Sequence, residues 1–324
     1  MGGTPSGEQV ARGFAPAEGT GSIPRITPFF CPIQKYLGSL IKDMATIDKN
    51  VFQKAFRAST NPLRMMPDFI IIGTQKGGTT SLYRYLIEHP CIAPIYIKEP
   101  HFFDIYFYKG LQWYRAHFPT TVEKYYARHI QKHDLITGEA SPYYLFHPQA
   151  ARRVSKTLPK ARLIVLLRNP IDRAYSQYQH QTRQDGVEPL TFEEALECEE
   201  KRLAGEEEKL LKDEKYFSFN HRHYSYLSRS KYIEQLPAWM SIFPREQFLI
   251  LRSEDLYTDA KAIVKQTLEF LNLPTSGLST EYKAFNDARY AQMAPATRER
   301  LVEYFKPYNA RLYEFLGHDF GWDK

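Results

Sequence analysis

The chain has 324 residues, enough for one large core, and its 43% hydrophobic and 25% charged content excludes a disordered or fibrous protein. A net charge of +6 favours anionic ligands, whether nucleotide, acidic acceptor or nucleic acid, and 15% aromatic residues suit clefts for polar organic molecules. No apolar run reaches the roughly eighteen residues of a membrane span, and the N-terminus lacks the basic flank and apolar stretch of a signal peptide, so a cytoplasmic location is expected.

Residues 1–28 are rich in Gly, Pro, Ser and Thr and read as a flexible leader or linker. A helical extension is expected over 29–66. There Tyr36, Leu37, Leu40, Ile41, Met44, Ile47, Val51, Phe52 and Phe56 recur at three- and four-residue steps, a pattern that would pack on the main domain or dock a partner. The main domain, 67–324, then alternates strand and helix. Asp68 to Ile72 predicts a strand, and Thr79 to His89 a helix halted by Pro90. Arg162 to Leu167 is a second strand, after which Arg168-Asn169-Pro170 turns into a helix from Asp172 to Thr182. The densely charged stretch from Glu197 to Lys215 reads as a solvated helix. Gln247 to Leu251 is a third strand, followed by a helix to Leu271, and Pro295 to Leu316 predicts a last helix interrupted at Pro307. This alternation predicts an α/β fold of three layers, a mostly parallel central sheet flanked by helices, with ligands outside the carboxyl ends of the strands. Cys31, Cys91 and Cys198 are widely spaced with no C-x-x-C pair, so neither a disulfide framework nor a zinc site is expected.

The first strand runs into Gly73-Thr74-Gln75-Lys76-Gly77-Gly78-Thr79-Thr80-Ser81, a phosphate cradle: glycines admit close approach of backbone N–H groups, hydroxyls donate, and a helix begins there. A nucleotide-triphosphatase loop reads G-x-x-x-x-G-K-[ST]. Gly73 and Gly78 keep that spacing, but Thr79 takes the lysine position and Lys76 precedes the glycine pair. That order argues against a magnesium-dependent kinase, the competing enzyme class. Scattered basic residues likewise argue against a non-catalytic nucleotide-sensing or nucleic-acid-binding module. In Lys98-Glu99-Pro100-His101-Phe102-Phe103-Asp104, a carboxylate among apolar neighbours can carry a raised pKa and act as a general base, with the histidine orienting it. Arg168 at a strand end and Ser176 on the next helix can grip a second phosphate, or Arg168 can simply pair with a carboxylate.

Together with the Gly317-His318-Asp319-Phe320-Gly321-Trp322 ending, these stretches resemble the sulfotransferase family that uses 3'-phosphoadenosine 5'-phosphosulfate (PAPS). The likeness is greatest to the heparan sulfate 3-O- and N-sulfotransferase branch and its bacterial relatives, which include sulfotransferase domains of polyketide synthases. The resemblance implies that Gln75, Lys76, Gly77, Gly78, Thr79, Thr80 and Ser81 hold the 5'-phosphosulfate, and that Arg168 and Ser176 hold the 3'-phosphate. It further implies that Lys76 balances charge on the leaving oxygen, Glu99 takes the acceptor proton with help from His101, Asp104 contacts the acceptor, and no metal takes part. Departures narrow it. Thr80 stands where the 3-O-enzymes carry an arginine, their paired C-terminal cysteines and Golgi membrane anchor are missing, and their nucleotide-capping loop is shortened to the region of Arg289. The expectation is a bacterial enzyme of secondary metabolism acting on a small metabolite or a carrier-bound 3-hydroxyacyl chain, with neighbouring synthase domains as partners and neither nucleic acid nor membrane. A glycan or glycosaminoglycan acceptor is the alternative.

Overall fold

Five short runs of apolar sequence make the centre of the protein. In the computed structural model, which describes residues 51–183, 187–276, 278, 279, 282 and 291–323, they are β1 (Phe69–Gly73), β2 (Ile92–Ala93), β3 (Ile136–Ala140), β4 (Arg162–Leu167) and β5 (Phe248–Arg252). They pair in the order β2-β3-β1-β4-β5, and every pairing is parallel. Side chains alternate between the two faces at a period of two. Ile70, Ile72, Leu163, Val165 and Leu167 therefore pack on one side with Tyr144, Trp239 and Phe243, while Phe69, Ile71, Ile164 and Leu166 pack on the other with Leu82, Leu86, Val264 and Leu268. Two such layers explain why β1 and β4 read as continuous apolar runs.

Helix α1 (Thr79–Leu86) starts directly after Gly78, whose φ of 87° gives the chain its turn out of the cradle, and it stops one turn short of the predicted Pro90 boundary. Helix α2 (Pro170–Thr182) starts earlier than predicted. The Asn169 side chain accepts from the N–H groups of Ile171 and Asp172, and Pro170 occupies the first turn, where its missing N–H costs nothing. Asn169 itself is held by the Trp322 carbonyl at 3.5 Å, and Trp322 and Phe320 are buried in the core, so the C-terminal aromatics brace the start of this helix.

Two expectations are corrected. Helix α3 (Pro295–Leu316) runs unbroken through Pro307. Proline forfeits one backbone hydrogen bond there, but Leu301, Phe305, Asn309 and Leu312 stay buried along one face, and that packing carries the helix past it. The charged stretch of 197–215 is two helices, Phe192–Leu203 and Glu206–Lys212, and it is not wholly solvated. Buried Glu199 accepts from the N–H groups of Tyr226, Leu227 and Ser228, and buried Glu206 accepts from Ser218, Tyr216 and Lys209. The expected leader, 1–28, and residues 29–50 of the expected extension lie outside the described residues. No described helix is long and apolar enough to cross a membrane.

Strand β3 carries a fully buried carboxylate, Glu139, which accepts from Tyr114 at 2.5 Å, Ser141 at 2.7 Å and Tyr144 at 3.1 Å. Burial outweighs these bonds and pushes it up to about 7. Between the ordinary glutamate value of 4.5 and about 7 the folded state holds a proton there that the unfolded chain has released, so stability falls as pH rises through this window. Replacing Glu139 with glutamine, which keeps an acceptor for the tyrosines, is expected to flatten that slope. Denaturant midpoints at pH 5 and pH 7.5 check it, with a difference on the order of a few kcal/mol removed by the substitution.

Candidate active site

The cradle sits at the carboxyl end of β1, beside the carboxyl end of β4, where strand order turns from one side of β1 to the other. The N–H of Thr74 donates to the Leu166 carbonyl and that of Gly77 to the Thr74 carbonyl, while the Ser253 hydroxyl holds the Gly77 carbonyl at 2.7 Å. A Cβ at Gly77 would lie 2.8 Å from the Leu166 oxygen and 2.9 Å from the Thr74 oxygen, so this turn closes only with glycine. Lys76 has a φ of 70°, and Arg168 Nη1 donates to its carbonyl at 2.9 Å, which fixes the two predicted anion-gripping residues side by side. Burial lowers the Lys76 ammonium, and the charges of Arg168, Arg183 and Arg173 lower it further, to about 8, against a smaller opposing effect of Glu99. Ser176 is buried on α2, and Thr79 and Ser81 are buried on α1.

The second stretch is connected to the first by a residue that sequence reasoning passed over. Lys98 Nζ lies 2.6 Å from the Thr80 hydroxyl and 2.5 Å from Glu99 Oε1. The Thr80 side-chain oxygen therefore accepts from Lys98. Glu99 Oε2 lies 3.5 Å from His101 Nε2, and His101 Nδ1 lies 2.8 Å from Asp104 Oδ2. The raised pKa expected of Glu99 is corrected. Burial would lift it, but the His101 hydrogen bond and the Lys98 charge prevail and bring it down to about 2. His101 moves the other way: burial opposes its charge, yet Asp104 and Glu99 raise it to about 9. Asp104 is corrected as well, because its carboxylate is fully buried against His101 and the Ile105 N–H and does not face an acceptor. It holds the imidazole. Arg289 lies outside the described residues, and the described residues contain no cluster of His, Cys, Asp and Glu able to hold a metal. A cavity of about 490 Å³, lined in part by Asp68, Ile136 and Arg162, lies at the opposite, amino-terminal ends of the strands and shares no residue with this site.

A sulfotransferase domain family matches residues 66–319. The chain belongs to the sulfotransferase family. It is 31% identical to a membrane-associated sulfotransferase of Dictyostelium discoideum, kil1, over 80% of this chain and 67% of that protein. It is 29% identical to the human heparan sulfate glucosamine 3-O-sulfotransferase 6, over 80% of this chain and 74% of that one. Among solved structures, a sulfotransferase from Alicyclobacillus acidocaldarius superposes with a TM-score of 0.59 at 31% identity, covering 80% of this chain and all of that one.

The chain is thus a PAPS-dependent sulfotransferase with a five-stranded parallel sheet. Its residues fit a polyanionic donor on their own chemistry. Besides Lys76 and Arg168, the buried Arg173 donates to Ser230 and to the Ser225 and Tyr226 carbonyls but has no partner for Nη1. A buried cation without a carboxylate is costly unless an anion completes its surroundings. The sulfotransferase also places Arg222 Nη2 3.5 Å from His101 Nε2, and Arg229 against Gln75. Both were missed because residues 216–235 carry no motif or period that marks them. Lys98 alone had a signal, its place next to Glu99.

One consequence concerns pH. With Lys98 changed to methionine, Glu99 loses an ammonium at 2.5 Å, so its pKa rises and the acid limb of kcat/KM moves upward by at least about one pH unit. A comparison of the wild-type and variant pH–rate profiles carried down to about pH 2 checks this; an unmoved limb means that Lys98 does not set the Glu99 charge.

Proposed function

We propose that this sulfotransferase moves the sulfonyl group of PAPS to a hydroxyl of an anionic saccharide. Gln75 and the 76–81 turn would hold the 5'-phosphosulfate by backbone N–H groups and the Lys76 ammonium, and Arg168 with Ser176 would hold the 3'-phosphate. Glu99, ionised at neutral pH, receives the acceptor proton as the oxygen attacks. His101, cationic and braced at Nδ1 by Asp104, turns its Nε2–H toward Glu99 and holds that carboxylate in place. Lys76, in the cradle, stabilises charge on the departing phosphate oxygen.

The observation that carries the acceptor class is the charge around Glu99. Lys98 and His101 flank that carboxylate, Arg222 lies against His101, and Asp104 is spent on His101, which leaves an acceptor face with surplus positive charge. The heparan sulfate enzymes among the relatives lean the same way. A carrier-bound 3-hydroxyacyl chain or small apolar metabolite is the second reading. It is favoured by the half-exposed Phe217 and Phe219, the former lying under the Arg222 guanidinium at 5.6 Å. Incubation with PAPS and a panel of heparan-type oligosaccharides, neutral sugars, phenols and carrier-bound 3-hydroxyacyl chains, read by mass spectrometry, separates the two. Sulfonation of the anionic oligosaccharides supports the first reading, and sulfonation of acyl chains alone replaces it with the second.

A further inference from the structure

Arg229 is 2% exposed, and none of its hydrogen bonds reaches a carboxylate. Its Nη1 donates to Gln75 Oε1 in the cradle. Its Nη2 donates to the carbonyls of His221 at 2.8 Å and Arg222 at 2.9 Å, near the end of the short helix Phe219–His223. The guanidinium carbon lies 4.9 Å from the Tyr143 ring and 5.0 Å from the Phe146 ring, and Nε has no partner. Burial makes this a poor place for a charge and lowers it to about 9. An apolar side chain would fill the volume at less cost, so the contribution of arginine here is its rigid fork, one prong on the cradle and one on the His221 and Arg222 carbonyls.

The Phe219–His223 helix carries Arg222, whose guanidinium lies 3.5 Å from His101. Polar contacts therefore run unbroken from Gln75 through Arg229 to the backbone that aims Arg222 at the proton-transfer group. The same helix is also held by Tyr143, whose hydroxyl lies 2.7 Å from His221 Nδ1. Arg229 thus joins the Gln75 turn directly to the acceptor-side helix, which Gln177 and Gln181 of α2 also hold through His223. We propose that Arg229 is a positioning residue that couples the two substrates: a donor in the cradle fixes Gln75, Gln75 fixes the fork, and the fork fixes the Phe219–His223 helix with Arg222 beside His101. Donor binding then firms the contacts that hold the acceptor side, which favours donor before acceptor. This rests on the donor reading above.

The test uses the donor product, 3'-phosphoadenosine 5'-phosphate (PAP), and amide hydrogen exchange of the whole chain. In the wild-type protein PAP is expected to slow exchange in Thr79–Leu86 and, by about tenfold, in Phe219–His223, the size of a modest coupling between sites. Gln75→Ala, which removes the cradle end of the link without opening the core, keeps the slowing at Thr79–Leu86 and loses it at Phe219–His223. Arg229→Lys, checked for an unchanged circular dichroism spectrum, does the same because one ammonium cannot span three acceptors. Wild-type slowing at Phe219–His223 in either variant overturns the coupling, as does its absence from the wild-type protein. Absence of slowing at Thr79–Leu86 in the wild type overturns the donor reading instead.

Discussion

Changing Lys76 to alanine is expected to lower kcat by about a hundred- to a thousandfold, the usual loss when one preorganised charge on a departing oxygen is removed. The protein should remain folded, since Lys76 is only half-buried and its backbone, not its side chain, receives Arg168. The same residue dictates a pH signature. Its ammonium is full below about 8 and lost above it, so PAP affinity should hold from pH 6.5 to about 7.5 and then weaken toward a tenfold loss per pH unit. Calorimetric titration at pH 7 and pH 9 should show this fall in the wild-type protein and its absence from Lys76→Ala between those values. Near-normal turnover in Lys76→Ala would remove the lysine from the mechanism.

Changing Glu99 to glutamine is expected to abolish transfer, by about a hundred- to ten-thousandfold, because nothing beside it can take over. His101 is the nearest candidate, and with Asp104 at 2.8 Å holding its proton to about pH 9 it has no free lone pair at neutral pH. Glu99 belongs to the acceptor side, so PAP affinity should change by less than about twofold, a loss confined to the chemical step. Single-turnover transfer together with PAP titration checks both halves. An active Glu99→Gln enzyme means that the proton leaves by another route.

The parallel sheet and the cradle were legible because both depend on local pattern. The runs Phe-Ile-Ile-Ile-Gly and Arg-Leu-Ile-Val-Leu-Leu can be buried on both faces only in such a sheet, and the turn at Gly77 tolerates no side chain. Charge states were not legible, because they depend on where side chains point as well as on which residues are neighbours. Apolar neighbours suggested a raised pKa for Glu99, whereas His101 and Lys98 both turn onto it and reverse that, and the raised carboxylate is Glu139, whose phenol partner Tyr114 lies 25 residues away. Asp104 read as an acceptor contact because sequence shows adjacency and not direction; the fold turns it inward onto His101. Pro307 shows the limit of local rules, with packing on one helix face overriding a missing hydrogen bond.

The account stands on a donor with two phosphate positions, one at Lys76 and one at Arg168. Calorimetric titration of the wild-type protein and Arg168→Ala with PAP and with ADP, which lacks the 3'-phosphate, tests it most directly. The wild-type protein should bind PAP at least about tenfold more tightly than ADP, with Arg168→Ala erasing that preference, as expected for one lost charge-assisted contact. Equal affinity of the wild-type protein for the two nucleotides would contradict it.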